Sequence, residues 1–207
     1  GEIVEVGEGV DPARVGERVA IETLGHGRAC ATCWYCRTGQ YVQCENKFPY
    51  FSGAFAQYIM RRAIGCFPIP DELSWEAGAL VEPLAVSVHG MRRGQLSGEE
   101  TVVVLGAGNI GLTAVAAARA MGAGKVFATA RHPHQADMAR SLGADDVLPT
   151  DGPDLWDAVA DVTDGRGADM TIESVGGTGD ATLKQALEVT RKQGRIVVLG
   201  NFRRPIT

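Results

Sequence analysis

The sequence has little of what would mark a membrane protein or a nucleic-acid binder. None of its apolar runs approaches the roughly 20 residues that a bilayer-spanning helix needs. Lys and Arg total 20 against 25 Asp and Glu, so the net charge is −5 and there is no excess positive charge for a phosphate backbone. We therefore expect a cytoplasmic globular protein whose partners include neither a membrane nor nucleic acid.

The beginning of the sequence lacks an initiating Met. Residues 1–4 also lack the basic charge that opens a secretory leader. We therefore expect the 207 residues to begin within a longer protein or after processing.

Cysteines are few, but four of the five lie close together. Cys30, Cys33, Cys36 and Cys44 have the spacing C-x2-C-x2-C-x7-C. A C-x2-C step is a tight turn that aims two thiolates at one ion, so the pattern predicts a closed structural zinc site with no position for a substrate. The alternatives are an iron–sulfur cluster, whose ferredoxin pattern continues x3-C-P, two disulfides, or four free thiols. The isolated Cys66 is expected to be a small buried side chain.

The chain has two halves of different character. Up to about residue 72, short runs at 2–6, 18–22, 54–60 and 63–69 predict β-strands, with a Gly- and Cys-rich zinc lobe at 24–49. Ser74 then offers an N-cap for a helix that we expect to break at Pro83 and to end near Arg93. From Thr101 onward five strands alternate with four helices, which predicts a parallel α/β sheet. We place the two domains at 1–85 and 86–207.

A glycine-rich turn lies between the strand at 101–105 and the helix that begins at Asn109. It has the pattern G-x-G-x-x-G in the context that makes this pattern specific. Gly106 permits a tight turn, Gly108 permits approach of a pyrophosphate, and Gly111 permits close helix–strand packing. The helix N-terminus then offers free N–H groups to phosphates. The turn therefore predicts a dinucleotide site formed by Gly106, Ala107, Gly108, Asn109, Ile110 and Gly111; the alternative is a turn without a ligand.

The end of the next strand predicts which dinucleotide is bound. An NAD site usually carries an acidic residue about 20 positions after the glycines, to bind the ribose 2′-hydroxyl. The corresponding residue is Ala130, and Arg131 beside it could pair with a 2′-phosphate. We therefore predict NADP in preference to NAD, with a solvated surface role for Arg131 as the alternative.

Several segments together resemble the zinc-containing alcohol dehydrogenases of the medium-chain dehydrogenase/reductase superfamily, over essentially the whole chain. Residues 1–7 (GEIVEVG), 16–19 (GERV), 53–58 (GAFAQY), 167–176 and 194–200 match that family's motifs in order and spacing, as does the cysteine lobe. Residues 82–89 (EPLAVSVH) are similar to the polyol (sorbitol-type) and threonine dehydrogenase branches. The resemblance implies five of the six strands of a doubly wound Rossmann sheet, preceded by part of an all-β GroES-like catalytic domain.

The resemblance also implies roles for further residues. Glu82 would stand beside a catalytic zinc, as a ligand or as a partner of its water, unless it is a solvent-facing helix carboxylate. His89, seven residues on, is expected to be a packed structural histidine. Backbone groups near the nicotinamide would come from Val175, Leu199, Gly200 and Asn201, although Val175 and Leu199 could instead be core residues.

The sequence departs from the family where the chemistry takes place. The family's other catalytic zinc ligands, a Cys in a CxxD-like segment and a His in a GHE-like motif, precede the strand with which this sequence begins. We therefore expect a fragment with little turnover of its own. The implied enzyme is an NAD(P)-linked, zinc-dependent oxidoreductase of secondary alcohols or polyols, and a homo-oligomer (dimer or tetramer). The alternatives are a zinc-free quinone or enoyl reductase of the same superfamily, and a non-catalytic zinc ribbon joined to a nucleotide-binding module.

Overall fold

The structure is a computed structural model that describes residues 1–49, 53–150 and 154–205. The chain divides into two compact units, Gly1–Glu82 and Pro83–Thr207, called here the N-terminal and the C-terminal unit. The division falls at the helix that joins the two halves. The expected domain boundary after residue 85 remains a prediction.

The N-terminal unit has little regular structure. Strands β1 (Val19–Ile21) and β2 (Cys66–Pro68) pair antiparallel, with Val19 opposite Pro68. Helices α1 (Trp34–Arg37) and α2 (Trp75–Ala79) are short. Between these elements lie four 3-10 turns, Pro12–Arg14, His26–Arg28, Tyr41–Gln43 and Ala63–Gly65.

Two predicted strands of this unit are not formed. Residues 2–6 make only the bridge from Glu2 to Arg18, together with hydrogen bonds such as Ile3 N–H to the Glu17 carbonyl at 3.0 Å. Residues 54–60 form no strand, and the side chain of Phe55 is fully exposed. A strand needs a neighbour to complete its backbone hydrogen bonds, so an apolar run alone does not produce one.

Ser74 caps the helix as predicted, but the break lies elsewhere than expected. Its hydroxyl accepts a hydrogen bond from the Ala77 N–H at 3.1 Å, and α2 ends at Ala79. Helix α3 then runs without a break over Val81–Arg93. The prediction of a break at Pro83 is wrong, because Pro83 lies in the first turn of α3, where no N–H is needed.

The C-terminal unit confirms the predicted alternation of five strands and four helices. The sheet order is β5-β4-β3-β6-β7, with every neighbouring pair parallel. The elements are β3 (Thr101–Leu105), α4 (Asn109–Ala120), β4 (Lys125–Ala130), α5 (Pro133–Ser141), β5 (Asp146–Pro149), α6 (Asp154–Thr163), β6 (Ala168–Glu173), α7 (Ala181–Val189) and β7 (Thr190–Val198).

Strand β3 lies at the centre of the sheet, and all five of its residues are buried. Val102 and Val104 belong to one hydrophobic cluster, with the alanines of α4. Val103 and Leu105 belong to a second cluster, with residues of α6 and α7. Alternate residues therefore face opposite covered sides, which is why a parallel strand is apolar throughout. The chain continues from β3 toward β4 on one side and has β6 on the other, so a crevice is expected at the carboxyl ends of β3 and β6.

Candidate functional site

The glycine-rich turn lies at the carboxyl end of β3. Gly106 has φ +93°, a conformation that favours glycine, and its N–H donates to the Thr129 hydroxyl at 2.9 Å. A Cβ atom on Gly111 would lie 1.8 Å from the carbonyl oxygen of Gly106. The first and third glycines are thus required by the backbone of the turn itself.

The second glycine has a different surrounding. A Cβ atom on Gly108 would meet nothing within 4 Å, so the space beside it is open. Gly108 is also the N-cap of α4 and offers no side-chain acceptor to the first-turn N–H groups. Asn109 is exposed, Ile110 is half-buried and Ala107 is buried. Room and hydrogen-bond donors for a diphosphate therefore exist where the sequence predicts them.

A groove of about 540 Å³ lies within the C-terminal unit at the carboxyl edge of the sheet. Its lining includes Thr129, Arg131, Thr150, Val175, Lys184 and Glu188. Arg131 is exposed, while Lys184 is paired with Asp180 at 2.9 Å. Ala130 ends β4 and is buried, and as an alanine it places no carboxylate at the position that would repel a 2′-phosphate. The fold brings Arg131 and Val175 to the same groove.

The predicted nicotinamide residues lie on two adjacent backbone segments. The side chain of Val175 is half exposed, whereas that of Leu199 packs against the hydrophobic core. The carbonyl oxygen of Asn201 accepts a hydrogen bond from the Gly177 N–H at 2.9 Å. A Cβ atom on Gly200 would lie 2.4 Å from the Gly176 nitrogen. The segments 174–177 and 199–201 thus meet closely, and their role toward nicotinamide remains a prediction.

Sequence analysis gave no role to Glu173, the last residue of β6. Its side chain is fully buried, and one carboxylate oxygen accepts hydrogen bonds from the Val175 and Gly176 N–H groups and from the Thr182 hydroxyl. The sequence signal was present: an acidic residue ends a strand whose other described residues are buried or nearly so. Buried carboxylates are rare without such partners.

The four clustered cysteines converge in the zinc lobe. Their sulfur atoms all lie within 4.8 Å of one another, with 3.5 Å between Cys33 and Cys36 and 3.9 Å between Cys30 and Cys36. A tetrahedral site with Zn–S bonds of about 2.3 Å requires sulfur atoms about 3.8 Å apart. The cluster therefore fits one zinc ion, and the four cysteines are not in disulfides.

Hydrogen bonds to sulfur favour the thiolate form of Cys30, whereas burial disfavours that of Cys36. Hydrogen bonds from the Thr32 hydroxyl and from the N–H groups of Cys33 and Thr32 lower the pKa of Cys30 to about 5. Burial raises the pKa of Cys36 to about 12. A bound zinc ion deprotonates coordinating thiols, so it would supply the charge that balances the buried thiolate.

The zinc lobe has scarcely any hydrophobic core apart from its cysteines. Its buried cluster consists of Ala29, Cys36 and Cys44, with Cys30, Cys33 and Tyr41 packed against it. His26 stacks on the Tyr41 ring at 4.3 Å between centroids. Small domains of this kind obtain their stability from the metal.

Glu82 lies in the first turn of α3 and is exposed. Its Oε1 accepts a hydrogen bond from the Thr23 hydroxyl at 3.1 Å. His89 is also exposed, so the prediction of a packed histidine is wrong. Cys66 is half-buried and its thiol donates to the Arg62 carbonyl at 3.7 Å, apart from the four-cysteine cluster.

Two family models match the chain. The alcohol dehydrogenase GroES-like domain matches residues 1–71, and the zinc-binding dehydrogenase domain matches residues 109–207. The cysteine cluster lies in the first match, and the whole of helix α4, which follows the glycine-rich turn, lies in the second. Within the described residues, no helix is long and apolar enough to cross a membrane.

Similar proteins are known as dehydrogenases. Sorbitol dehydrogenase of Bacillus subtilis is 37% identical over 204 residues, covering 97% of this chain and 56% of the relative. L-Threonine 3-dehydrogenase of Pyrococcus horikoshii is 34% identical over 210 residues, which cover 100% of this chain and 59% of the relative. The structure of a zinc-binding dehydrogenase from Sinorhizobium meliloti, solved with NADP bound, superposes with a TM-score of 0.85 at 29% identity. The match covers 100% of this chain and 60% of that structure.

The doubly wound sheet, the phosphate turn and the cysteine lobe define a class of dinucleotide-linked, zinc-carrying oxidoreductases. The chain belongs to the zinc-containing alcohol dehydrogenase family. It spans less than two thirds of the length of the relatives described above.

Proposed function

We propose that the chain is the structural-zinc and dinucleotide-binding part of a zinc-dependent alcohol or polyol dehydrogenase. The observation that carries the proposal is the open space at Gly108, at the N-terminus of α4, in a turn whose Gly106 lies against the groove residues Thr129 and Val175. The similarity to sorbitol and threonine dehydrogenases supports a secondary alcohol as the substrate class. In such an enzyme a nicotinamide exchanges a hydride with the alcohol carbon while zinc polarises the oxygen.

The residues of this chain would then have distinct tasks. Residues 106–111 would hold the diphosphate through backbone N–H groups, and Val175 and the segment 199–201 would face the nicotinamide. Glu82, oriented by the Thr23 hydroxyl, would bind a catalytic zinc or its water. Because the resemblance assigns no other residue of this chain to that zinc, we expect little or no turnover from the 207 residues alone.

The cysteine cluster would hold the structural zinc. Its four sulfur atoms close the coordination shell, so this ion would stabilise the lobe and take no part in hydride transfer. The same cluster argues against a zinc-free quinone or enoyl reductase. It also suits a reducing compartment, which supports a cytoplasmic location.

We also propose that NADP is preferred to NAD. Arg131 is exposed on the groove, and Ala130 supplies no carboxylate against a 2′-phosphate. Substituting Arg131→Ala should weaken NADPH binding about tenfold or more and leave NADH binding nearly unchanged, since the lost charge-assisted bonds are made only to the phosphate.

A homo-oligomer is the proposed assembly of the full-length enzyme. Strand β7 lies at one edge of the five described strands, and the sixth strand that the family resemblance implies would lie beyond it and offer its edge to a second copy. Light scattering on the full-length protein would measure its mass; a monomer at micromolar concentration would contradict this part of the proposal.

The main test is binding by the 207-residue chain, expressed with zinc supplied. We expect about one zinc ion per chain by metal analysis, and quenching of protein fluorescence by NADPH in the micromolar range. The matched variant is Gly108→Ala, which has room for its methyl group and backbone angles that any residue adopts. It should fold normally and bind NADPH about tenfold or more weakly, because the methyl occupies the place of the diphosphate.

The outcomes separate the hypotheses. A folded chain that binds neither NADPH nor NADH would overturn the proposed function. A chain without zinc would favour the zinc-free reductase, and two zinc ions per chain would contradict the assignment of a single complete site. Equal affinity of Gly108→Ala and the parent chain would remove the glycine-rich turn from the dinucleotide site.

A further inference from the structure

Resting on the proposed dinucleotide site, we propose that Glu173 is a positioning residue that holds together the two backbone segments of that site. Its side chain is fully buried, and Glu173 does not line the groove. Its side chain fixes the segment after β6, and its main chain fixes the segment after β7. The hydrogen-bond role of the carboxylate, and not its charge, is what the site requires.

The side chain acts on the segment 174–177. Its Oε1 accepts hydrogen bonds from the Val175 N–H at 3.0 Å, the Gly176 N–H at 2.9 Å and the Thr182 hydroxyl at 2.8 Å. All three donors belong to residues that line the groove beside Arg131, and Thr182 also lies in the first turn of α7. One oxygen atom thus sets the course of the chain between β6 and α7.

The main chain of Glu173 acts on the segment 199–201. Its carbonyl oxygen accepts the Leu199 N–H at 2.8 Å and the Gly200 N–H at 3.0 Å. Glu173 is also paired with Val198 and Leu105 in the sheet, at the centre of the carboxyl edge. The residue therefore contacts both segments that the family resemblance assigns to the cofactor.

The second carboxylate oxygen of Glu173 makes burial of this side chain unfavourable for folding. Oε2 is buried and has no hydrogen-bond partner among the described residues. A Cβ atom on Gly200 would lie 2.3 Å from it, so the oxygen lies directly against the main chain of that glycine. Burying an unpaired polar atom opposes folding, and an apolar residue would avoid this penalty. A carboxylate kept here is explained by the three bonds that its other oxygen accepts.

The test compares Glu173→Leu with Glu173→Gln in the zinc-loaded chain. Leucine removes all three accepted bonds, while the amide oxygen of glutamine can accept the same three without the charge. We expect Glu173→Leu to bind NADPH roughly tenfold or more weakly, since the segment 174–177 loses the side-chain bonds that fix it. Glu173→Gln should remain within about threefold of the parent chain. Affinities come from fluorescence titration well below each variant's unfolding temperature.

The control for a general loss of stability is Thr171→Val. Thr171 is buried in the same strand, and its hydroxyl shares a hydrogen bond with the Thr190 hydroxyl at 2.7 Å, so this variant loses a buried hydrogen bond away from both segments. It should unfold at a lower temperature and bind NADPH as the parent does. If Glu173→Leu does not fold, Thr182→Val decides: it removes one of the three donors and should weaken NADPH binding about two- to threefold.

Each result bears on the proposal. Unchanged NADPH affinity in Glu173→Leu, or in Thr182→Val when that variant decides, would overturn it, as would a Thr171→Val variant with an equal loss of affinity. A glutamine variant as weak as the leucine variant would show that charge matters and would overturn the hydrogen-bond role. If the parent chain itself binds no dinucleotide, the proposed function fails first, and the two failures are thereby distinguished.

Discussion

Among the described residues, the N-terminal unit buries few hydrophobic side chains and the C-terminal unit buries many. In the first these are Val19, Ala29, Cys36, Cys44 and Ile69, two of which are cysteines of the zinc lobe. In the second, both faces of a five-stranded sheet are covered by apolar clusters. The exposed side chains of Phe55, Tyr58 and Met60 lie in the first unit. The C-terminal unit is thus stabilised by apolar burial, and we expect the N-terminal unit to depend on its zinc site.

The largest expected effect comes from removing zinc. A strong chelator, or Cys36→Ser with Cys44→Ser, should unfold the lobe at 24–49, because binding of structural zinc supplies about 10 kcal/mol or more in small metal-dependent domains. Limited proteolysis should then cut within the lobe, while NADPH binding by the C-terminal unit continues. Cys66→Ser, outside the cluster, is the control and should retain zinc. A lobe that resists proteolysis without zinc would contradict the view that the N-terminal unit depends on its metal.

A second experiment compares large-to-small substitutions in the two units. Leu105→Ala empties a fully buried position of β3 and should cost about 2–5 kcal/mol in the free energy of unfolding. Phe55→Ala, on a fully exposed side chain, should change it by less than about 0.5 kcal/mol. Denaturant titrations measure both values. Similar losses from the two substitutions would show that the N-terminal unit has a core of its own.

A smaller loss of stability is expected at Thr129, whose hydroxyl accepts the hydrogen bond from the Gly106 N–H in the C-terminal unit. Thr129→Val removes the acceptor of the Gly106 N–H and should cost about 1–3 kcal/mol. Thr129→Ser keeps the hydroxyl and serves as the matched control. Thermal unfolding of the two variants tests the difference, which should vanish if water replaces the lost acceptor.

The smallest effect concerns pH and Asp169. Burial acts to raise the pKa of Asp169, but hydrogen bonds from Arg191 and from the Thr101 N–H outweigh it, and the pKa is lowered. The stabilisation is therefore present above the ordinary pKa of about 4 and is lost as the pH falls through the lowered value. Asp169→Asn should lower stability at pH 7 by about 0.5–1 kcal/mol. Its unfolding should also depend less steeply on pH below about 4.

The sequence predicted the C-terminal unit well because its signals are local. A buried parallel strand is apolar along its whole length, and residues 106–111 carry glycines that the turn itself requires. The N-terminal unit was predicted less well, since residues 2–6 and 54–60 depend on neighbours for strand formation. Glu173 was missed for another reason. An acidic residue at the end of a buried strand marks the position as unusual, but its partners are set by where three segments meet, and no local pattern in the sequence encodes them.

The bond between Thr129 and Gly106 has a consequence for redesigning cofactor preference. The residues that would distinguish NADP from NAD are Ala130 and Arg131, and the residue just before them holds the phosphate turn in place. Exchanging the whole strand end for that of a relative would therefore alter selectivity and diphosphate binding at once. A clean exchange keeps a hydroxyl at 129 and confines its changes to the two residues that follow.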